Sequence, residues 1–283
     1  MPDARKTTST TRLPLTGATT TTLTPLRPGM PALDSIQKTM TLSPKAGGRT
    51  YRIMRTTETD AYEKTSTATD LSKLLRTKGA PPSAALAKAM NKKPSTGDNY
   101  AGTDRKAAKL SKAEGATEAF TDLQDLIASL APESTMINHK PPIKTVATSG
   151  RVKEEQRNVS ISAFLYASSR ESDNDFHLIV GRDQTLTPEM YMTTEVSGLP
   201  PKTDPAFDFT DLNAARTAFK KFFGAKLPGA GYDFYDPPIP VEIEGSLFFD
   251  MTHAKGARPG PQSLKSRMPV IWEIHPATSI KLG

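Results

Sequence analysis

Three of the four histidines carry carboxylate company: His177 follows Asp173 and Asp175, His253 follows Asp250, and His275 follows Glu273. Imidazole with carboxylate is a donor set for zinc or another divalent ion, and an ion with open positions activates water. On a pleated strand, residues two apart share a face. Asp175 and His177 therefore form one pair, and Glu273 and His275 another. Asp175, His177, Asp250, His253, Glu273 and His275 are the candidate metal ligands, and a divalent metal is the one cofactor this chemistry indicates. Their spacing matches no zinc signature such as His-Glu-x-x-His. The competing expectation is that these side chains only hydrogen-bond turns and cap loops.

Other chemistry is thinner. Asp173-Asn-Asp175 resembles the opening of a calcium loop but lacks its glycine, and a tight Asx-type turn accounts for the same residues. Lys255, Arg258, Lys265 and Arg267 lie on a Gly/Pro-containing loop that, beside the strand residue Tyr191, is a candidate ligand surface gripping a phosphate backbone while bases stack. No Gly-x-Ser-x-Gly elbow, Walker loop or Gly-x-Gly-x-x-Gly motif occurs. With no cysteine, disulfides, thiolate metal sites and cysteine nucleophiles are excluded, which fits a reducing, cytoplasmic setting.

The elements that must hold these residues are strands. Val159, Ile161, Ala163 and Leu165 alternate as a half-buried strand. Asp175–Gly181 and Glu189–Val196 follow. Thr210 reads as the cap of a helix whose stripe is Leu212, Ala215, Phe219, Phe222 and Phe223, with Gly224 as its stop. Strands at 241–250 and 269–276 close the chain, the latter extended by Ser279–Leu282. Three strands, a helix and two strands is the order of an OB-like five-stranded Greek-key barrel, mainly β, with Gly245 suited to its sharp coiling. The barrel domain is expected over 140–283.

An accessory helix over 116–130 is expected from Phe120, Leu123, Leu126, Ile127 and Leu130, with 116–139 forming helix and linker. Residues 1–115 read as a disordered tail rich in Thr, Pro and Lys, with short helical pieces over 70–90 and a basic run over 91–112. They carry 20 Lys and Arg against 9 Asp and Glu, a balance of +11, which leaves −4 for the rest of a chain at +7. The basic character therefore belongs to the tail. Tyr51–Arg55 is a less polar island, read either as a segment that orders against a partner or the domain, or as an incidental pentamer.

The runs Asp173-Asn-Asp-Phe-His-Leu-Ile-Val180, Glu195-Val-Ser-Gly-Leu-Pro200, Ala215-Arg216, Val241 to His253 and Trp272-Glu-Ile-His-Pro276 resemble a group of uncharacterised bacterial proteins. That group runs as an acidic turn, a His-Leu-Val-Leu strand, a Glu-containing third strand and a closing Glu-Ile-His-Pro strand. The resemblance covers about the last 125 residues, implies an OB-like barrel and brings no activity with it.

Sequence alone favours a non-enzymatic binding or adaptor module. The alternatives are a metal-dependent hydrolase or nuclease built on the His/Asp/Glu set, and nucleic-acid binding through the basic tail and the 253–267 loop. Candidate partners are single-stranded nucleic acid or a protein. No apolar run reaches the ~18–20 residues of a membrane-spanning helix, so no membrane role is expected.

Overall fold

A computed structural model describes residues 28–60, 97–207, 209–255 and 258–283, without the Lys255 side chain. Residues 1–27, the helical pieces expected over 70–90, and Lys92 and Lys93 lie outside the described residues.

The fold is mainly β, one eight-stranded mixed sheet with few helices. Its strands are β1 (Ile36–Leu42), β2 (Tyr51–Thr56), β3 (Thr117–Phe120), β4 (Asn158–Arg170), β5 (Phe176–Gly181), β6 (Tyr191–Val196), β7 (Asp233–Phe249) and β8 (Trp272–Leu282). The helices are α1 (Lys106–Lys109), α2 (Leu123–Ala128), α3 (Glu133–Ile137) and α4 (Phe209–Phe223). Strand order is β1-β2-β7-β8-β6-β5-β4-β3, and β7 also pairs with β4. The β3–β4 and β6–β8 pairs are parallel, the rest antiparallel.

The strand count of eight corrects the expected five. Two of the additional strands come from residues read as tail. Strand β2 pairs with β7 (Ile53 opposite Tyr235), and Arg55 grips the buried Asp233 with two bonds of 2.8 and 2.7 Å. The third comes from the expected accessory helix, whose first turn is instead β3, laid parallel on the start of β4. Only residues 123–128 of that stretch are helical, capped by Asp122, which accepts from the Gln124 N–H at 2.9 Å.

The basic segment expected as a linker is also folded in part. Arg105 is buried and makes paired 2.7 Å bonds to the buried Glu155. Arg151 donates to the carbonyls of Ala108, Leu247 and His275, so it ties α1 to the β7–β8 pair. Gly245 sits between register shifts of β7 against β8, where a Cβ would lie 2.3 Å from the Pro276 carbonyl oxygen. Only glycine lets the two backbones approach that closely.

The sheet separates two environments. Leu178, Met192, Val196, Ile274 and Trp272 point to the main core, covered by Ala215, Phe219 and Phe223 of α4. On the opposite face the alternate residues of the same strands emerge: His177 and Ile179 of β5, Glu195 of β6, Glu273 and His275 of β8. A smaller apolar cluster of Tyr166, Ile179, Tyr191, Tyr232, Leu264 and Met268 occupies part of that face. The polar residues occupy the rest. Among the described residues, no helix is long and apolar enough to cross a membrane.

Candidate metal centre

Register brings the polar residues together. His177 lies directly opposite Glu195 across the antiparallel β5–β6 pair, and Thr193 opposite Glu273 across the parallel β6–β8 pair. Asp175 stands just before β5, in a turn where Asn174 takes a left-handed φ of 79° and Asp173 accepts from the Asp175 N–H at 3.3 Å. Such a turn is what Asp and Asn favour. Asp175 Oδ1 accepts from the Gly198 N–H at 2.6 Å, which fixes the carboxylate just past the end of β6.

Three buried side chains converge. One ligand atom from each of Asp175, Glu195 and His275 lies within 4.8 Å of the others. His275 Nδ1 is 3.0 Å from Glu273 Oε1, and its Nε2 is 3.4 Å from Asp175 Oδ2. With the proton assigned to Nδ1, Nε2 presents a lone pair to a carboxylate oxygen. Asp175 Oδ2 faces His275 Nε2, while Glu195 Oε2 lies 3.4 Å from His275 Nδ1, and Asp175 Oδ2, Glu195 Oε2 and His275 Nε2 are all buried without a hydrogen-bond partner. Acceptors that face each other in this way need a proton or a cation between them. A carboxylate behind a ligating imidazole is the usual support that orients such a ligand.

The electrostatics agree with that need. Burial, then the charges of Asp173 and Glu195, holds the Asp175 carboxyl well above its ordinary pKa. Burial with Glu195 and Asp250 does the same to Glu273. Burial, then the positive charges of Lys109, Arg151 and His177, keeps His275 well below the usual imidazole value and therefore neutral, the state a metal ligand requires. His177 behaves in the opposite way. Burial opposes its charge, but Glu171 at 3.2 Å, Glu195 at 3.5 Å and the charge of Asp60 push it up to about 10. Burial raises Glu171 to about 7, against the pull of His177.

Beside this cluster opens a cavity of about 420 Å³ lined by Asp60, Glu171, Asp173, Asp250, Lys109 and His253, among others. Glu195 and the cavity-lining Glu171 both approach the Nδ1 of His177, at 3.5 and 3.2 Å.

Of the six expected ligands, Asp175 and His275 enter the converging set. Glu273 supports His275, and His177 is a cation between two carboxylates. Asp250 and His253 stand on the cavity wall, 3.7 Å apart. Glu195 and Glu171 were absent from the expected set. Glu195 carried a signal, because a carboxylate on the next strand in register with His177 shares its face.

The residues of the expected ligand surface are placed apart from an open groove among the described residues. The Tyr191 ring is fully buried beside Tyr166, its hydroxyl bonded to Glu189, so it offers no face to a base. Arg258 is paired with Glu133 at 3.0 Å, and Arg267 with Glu189 at 3.2 Å. Lys265 is half-buried at the start of a short 3-10 turn.

Comparison with known proteins finds no family model, no curated protein and no solved structure that matches this chain.

Proposed function

We propose that the protein is a metal-dependent hydrolase whose ion is held by Asp175, Glu195 and His275. The observation that carries this reading is the clustering of three buried residues, each with an unpartnered acceptor, whose ligand atoms lie within 4.8 Å of one another. Two carboxylates and one imidazole suit manganese, zinc or ferrous iron, and three protein ligands leave positions for water and substrate. An ion held there lowers the pKa of its bound water and polarises a substrate oxygen.

The chain's own residues supply the rest. Glu273 holds the His275 ring in the ligating tautomer. Glu171 faces the cavity and is placed to take the proton that water loses as its oxygen bonds to the ester centre. That proton then goes to the departing alcohol as the ester bond breaks. His177, charged between Glu171 and Glu195, steadies both carboxylates. An adaptor surface has no use for acceptors left unpaired inside the protein, which is why the geometry favours catalysis over the binding-module reading.

The pairing β4-β5-β6-β8-β7-β4, with α4 between β6 and β7, the third and fourth of these strands in chain order, supports reading this portion as OB-like. On that reading the site lies on the outer face of the second, third and fifth strands.

The test is turnover of bis(4-nitrophenyl) phosphate, 4-nitrophenyl phosphate and 4-nitrophenyl acetate by the full chain with Mn²⁺ or Zn²⁺. The expected result is hydrolysis of at least one ester that EDTA reverses and Glu195→Gln abolishes. Rates equal to those of free metal with all three would overturn the proposal.

A further inference from the structure

We infer that the substrate is a phosphate ester, and that Lys109 at the cavity wall binds its anionic oxygen. This rests on the metal-dependent reading above and adds the chemical class of substrate.

Lys109 ends α1 with its side chain in the cavity, beside the hydroxyl-bearing Tyr100, Thr103 and Thr252. Its ammonium forms no hydrogen bond or ion pair with any described residue, whereas Arg105, Arg157, Arg182 and Arg216 each hold a carboxylate within 3.0 Å. Its Nζ lies 5.8 Å from the centre of the Phe248 ring, an apolar neighbour that gives the charge no acceptor. Arg151 fixes the helix that carries it, through the carbonyls of Ala108 and Ser111 at 2.9 and 2.8 Å. Lys109 is therefore a positioned cation with three unused donors at the wall of the cavity.

Its surroundings define when it can hold an anion. Asp60, Glu171, Asp173 and Asp250 line the same cavity, and Asp175, Glu195 and Glu273 stand close enough to Lys109 to feel its charge. Without a metal, this excess of negative charge repels any anion. A divalent ion on Asp175 and Glu195 cancels two of those charges, so an anion in the cavity meets the Lys109 ammonium with less charge opposing it. Neutral acyl esters and amides carry no charge for a fixed ammonium to hold. A phosphate ester does. Metal and phosphate must then strengthen each other's binding by the same factor.

The experiment is calorimetric titration of phenylphosphonate, a phosphate-ester mimic that cannot be hydrolysed, into the full chain with Mn²⁺ and with EDTA. Titration of Mn²⁺ alone is the companion measurement. Phenylphosphonate is expected to bind only with Mn²⁺ present. Lys109→Met, which keeps a flexible unbranched side chain and removes the charge, should weaken it roughly ten- to a hundredfold, the range of a hydrogen bond to a charged group. Lys109→Arg should stay within about fivefold of wild type, because a guanidinium also holds phosphate. Lys109 is no metal ligand, so Lys109→Met should bind Mn²⁺ as tightly as wild type or more tightly.

If Mn²⁺ binds and phenylphosphonate does not, or binds equally well to Lys109→Met, the phosphate inference is overturned and the hydrolase reading stands. If Mn²⁺ itself fails to bind, the hydrolase reading falls and this inference with it. Should Lys109→Met not fold, the wild-type comparison with and without Mn²⁺ and the Lys109→Arg titration still decide the matter.

Discussion

Neutralising one carboxylate of the converging set should stabilise the metal-free protein. Asp175 and Glu195 offer oxygens within 4.8 Å of each other in a fully buried site. At that separation and an effective dielectric constant of about 20, two unit charges repel by about 3 kcal/mol. Lys109 and the charged His177 offset part of this, and a shared proton removes more, so roughly 1–2 kcal/mol remains to be recovered at pH 8.5. Asp175→Asn keeps an oxygen for the Gly198 N–H and turns a donor toward Glu195 or His275. For a domain of this size that gain raises the melting temperature by roughly 2–8 °C in EDTA. Mn²⁺ at a hundred times its dissociation constant stabilises wild type by about 2.7 kcal/mol and should not stabilise the variant. Differential scanning fluorimetry of both proteins, with and without Mn²⁺, reads all four states. An Asp175→Asn protein that melts below wild type in EDTA, with both responding equally to Mn²⁺, would refute the electrostatic reasoning.

The metal-free protein should lose stability as pH rises from about 5 to 10. His177, raised to about 10, contributes stability that is complete below its unfolded value and lost as pH rises through 10. Glu171, raised to about 7, favours its protonated form in the fold, so its share of the stability is lost as pH rises from about 4.5 through 7; Asp175 and Glu273, held well above their ordinary values, act in the same direction. His275, held neutral, works the other way below about 6.5, where the unfolded chain takes up its proton first, and it offsets only part of what the three carboxyls gain there. A series of melting temperatures without metal from pH 5 to 10 checks this, and a curve still rising at pH 9 would contradict it. Glu155→Gln should cost about 3–5 kcal/mol in urea unfolding, because it strands the buried Arg105 charge. The paired change Arg105→Met with Glu155→Leu should cost less than the single one. Gly245→Ala should destabilise by more than ~2 kcal/mol, since its Cβ would meet the Pro276 backbone at 2.3 Å and β7 cannot draw closer to β8.

Most of the sheet around the site is legible in the sequence, because alternation and a helical stripe are local signals. Strands β4 to β6 and the helix α4 follow from Val159–Leu165, Asp175–Gly181, Glu189–Val196 and the Leu212–Phe223 stripe. Strand β7 begins at Asp233, well before the expected 241, because Phe234 and Tyr235 pair with β2 across a Pro-rich stretch that reads as a loop. Strand β2, on which β1 pairs, owes its order to partners about 180 positions away, such as Asp233 for Arg55, and composition cannot show that. The spacing over 116–130 misleads for a specific reason. Phe120 reaches the core from a strand while Leu123 and Leu126 reach it from a short helix, and together they imitate one helical face. In the site, Asp175 and His275 announce themselves as a carboxylate just before one strand and an imidazole on another. Glu195 needs the β5–β6 register to be seen. Lys109 sits in a basic run where nothing local sets it apart from Lys106 or Lys112.

Metal content of the purified full chain, measured by mass spectrometry after exposure to excess Mn²⁺ or Zn²⁺ and desalting, tests the central claim most directly. Wild type should retain about one ion per chain or more, with the bound fraction lost in Glu195→Ala and His275→Ala while both variants keep the wild-type circular dichroism spectrum. No retained ion in folded wild type, or full retention in both variants, would contradict a metal centre at Asp175, Glu195 and His275.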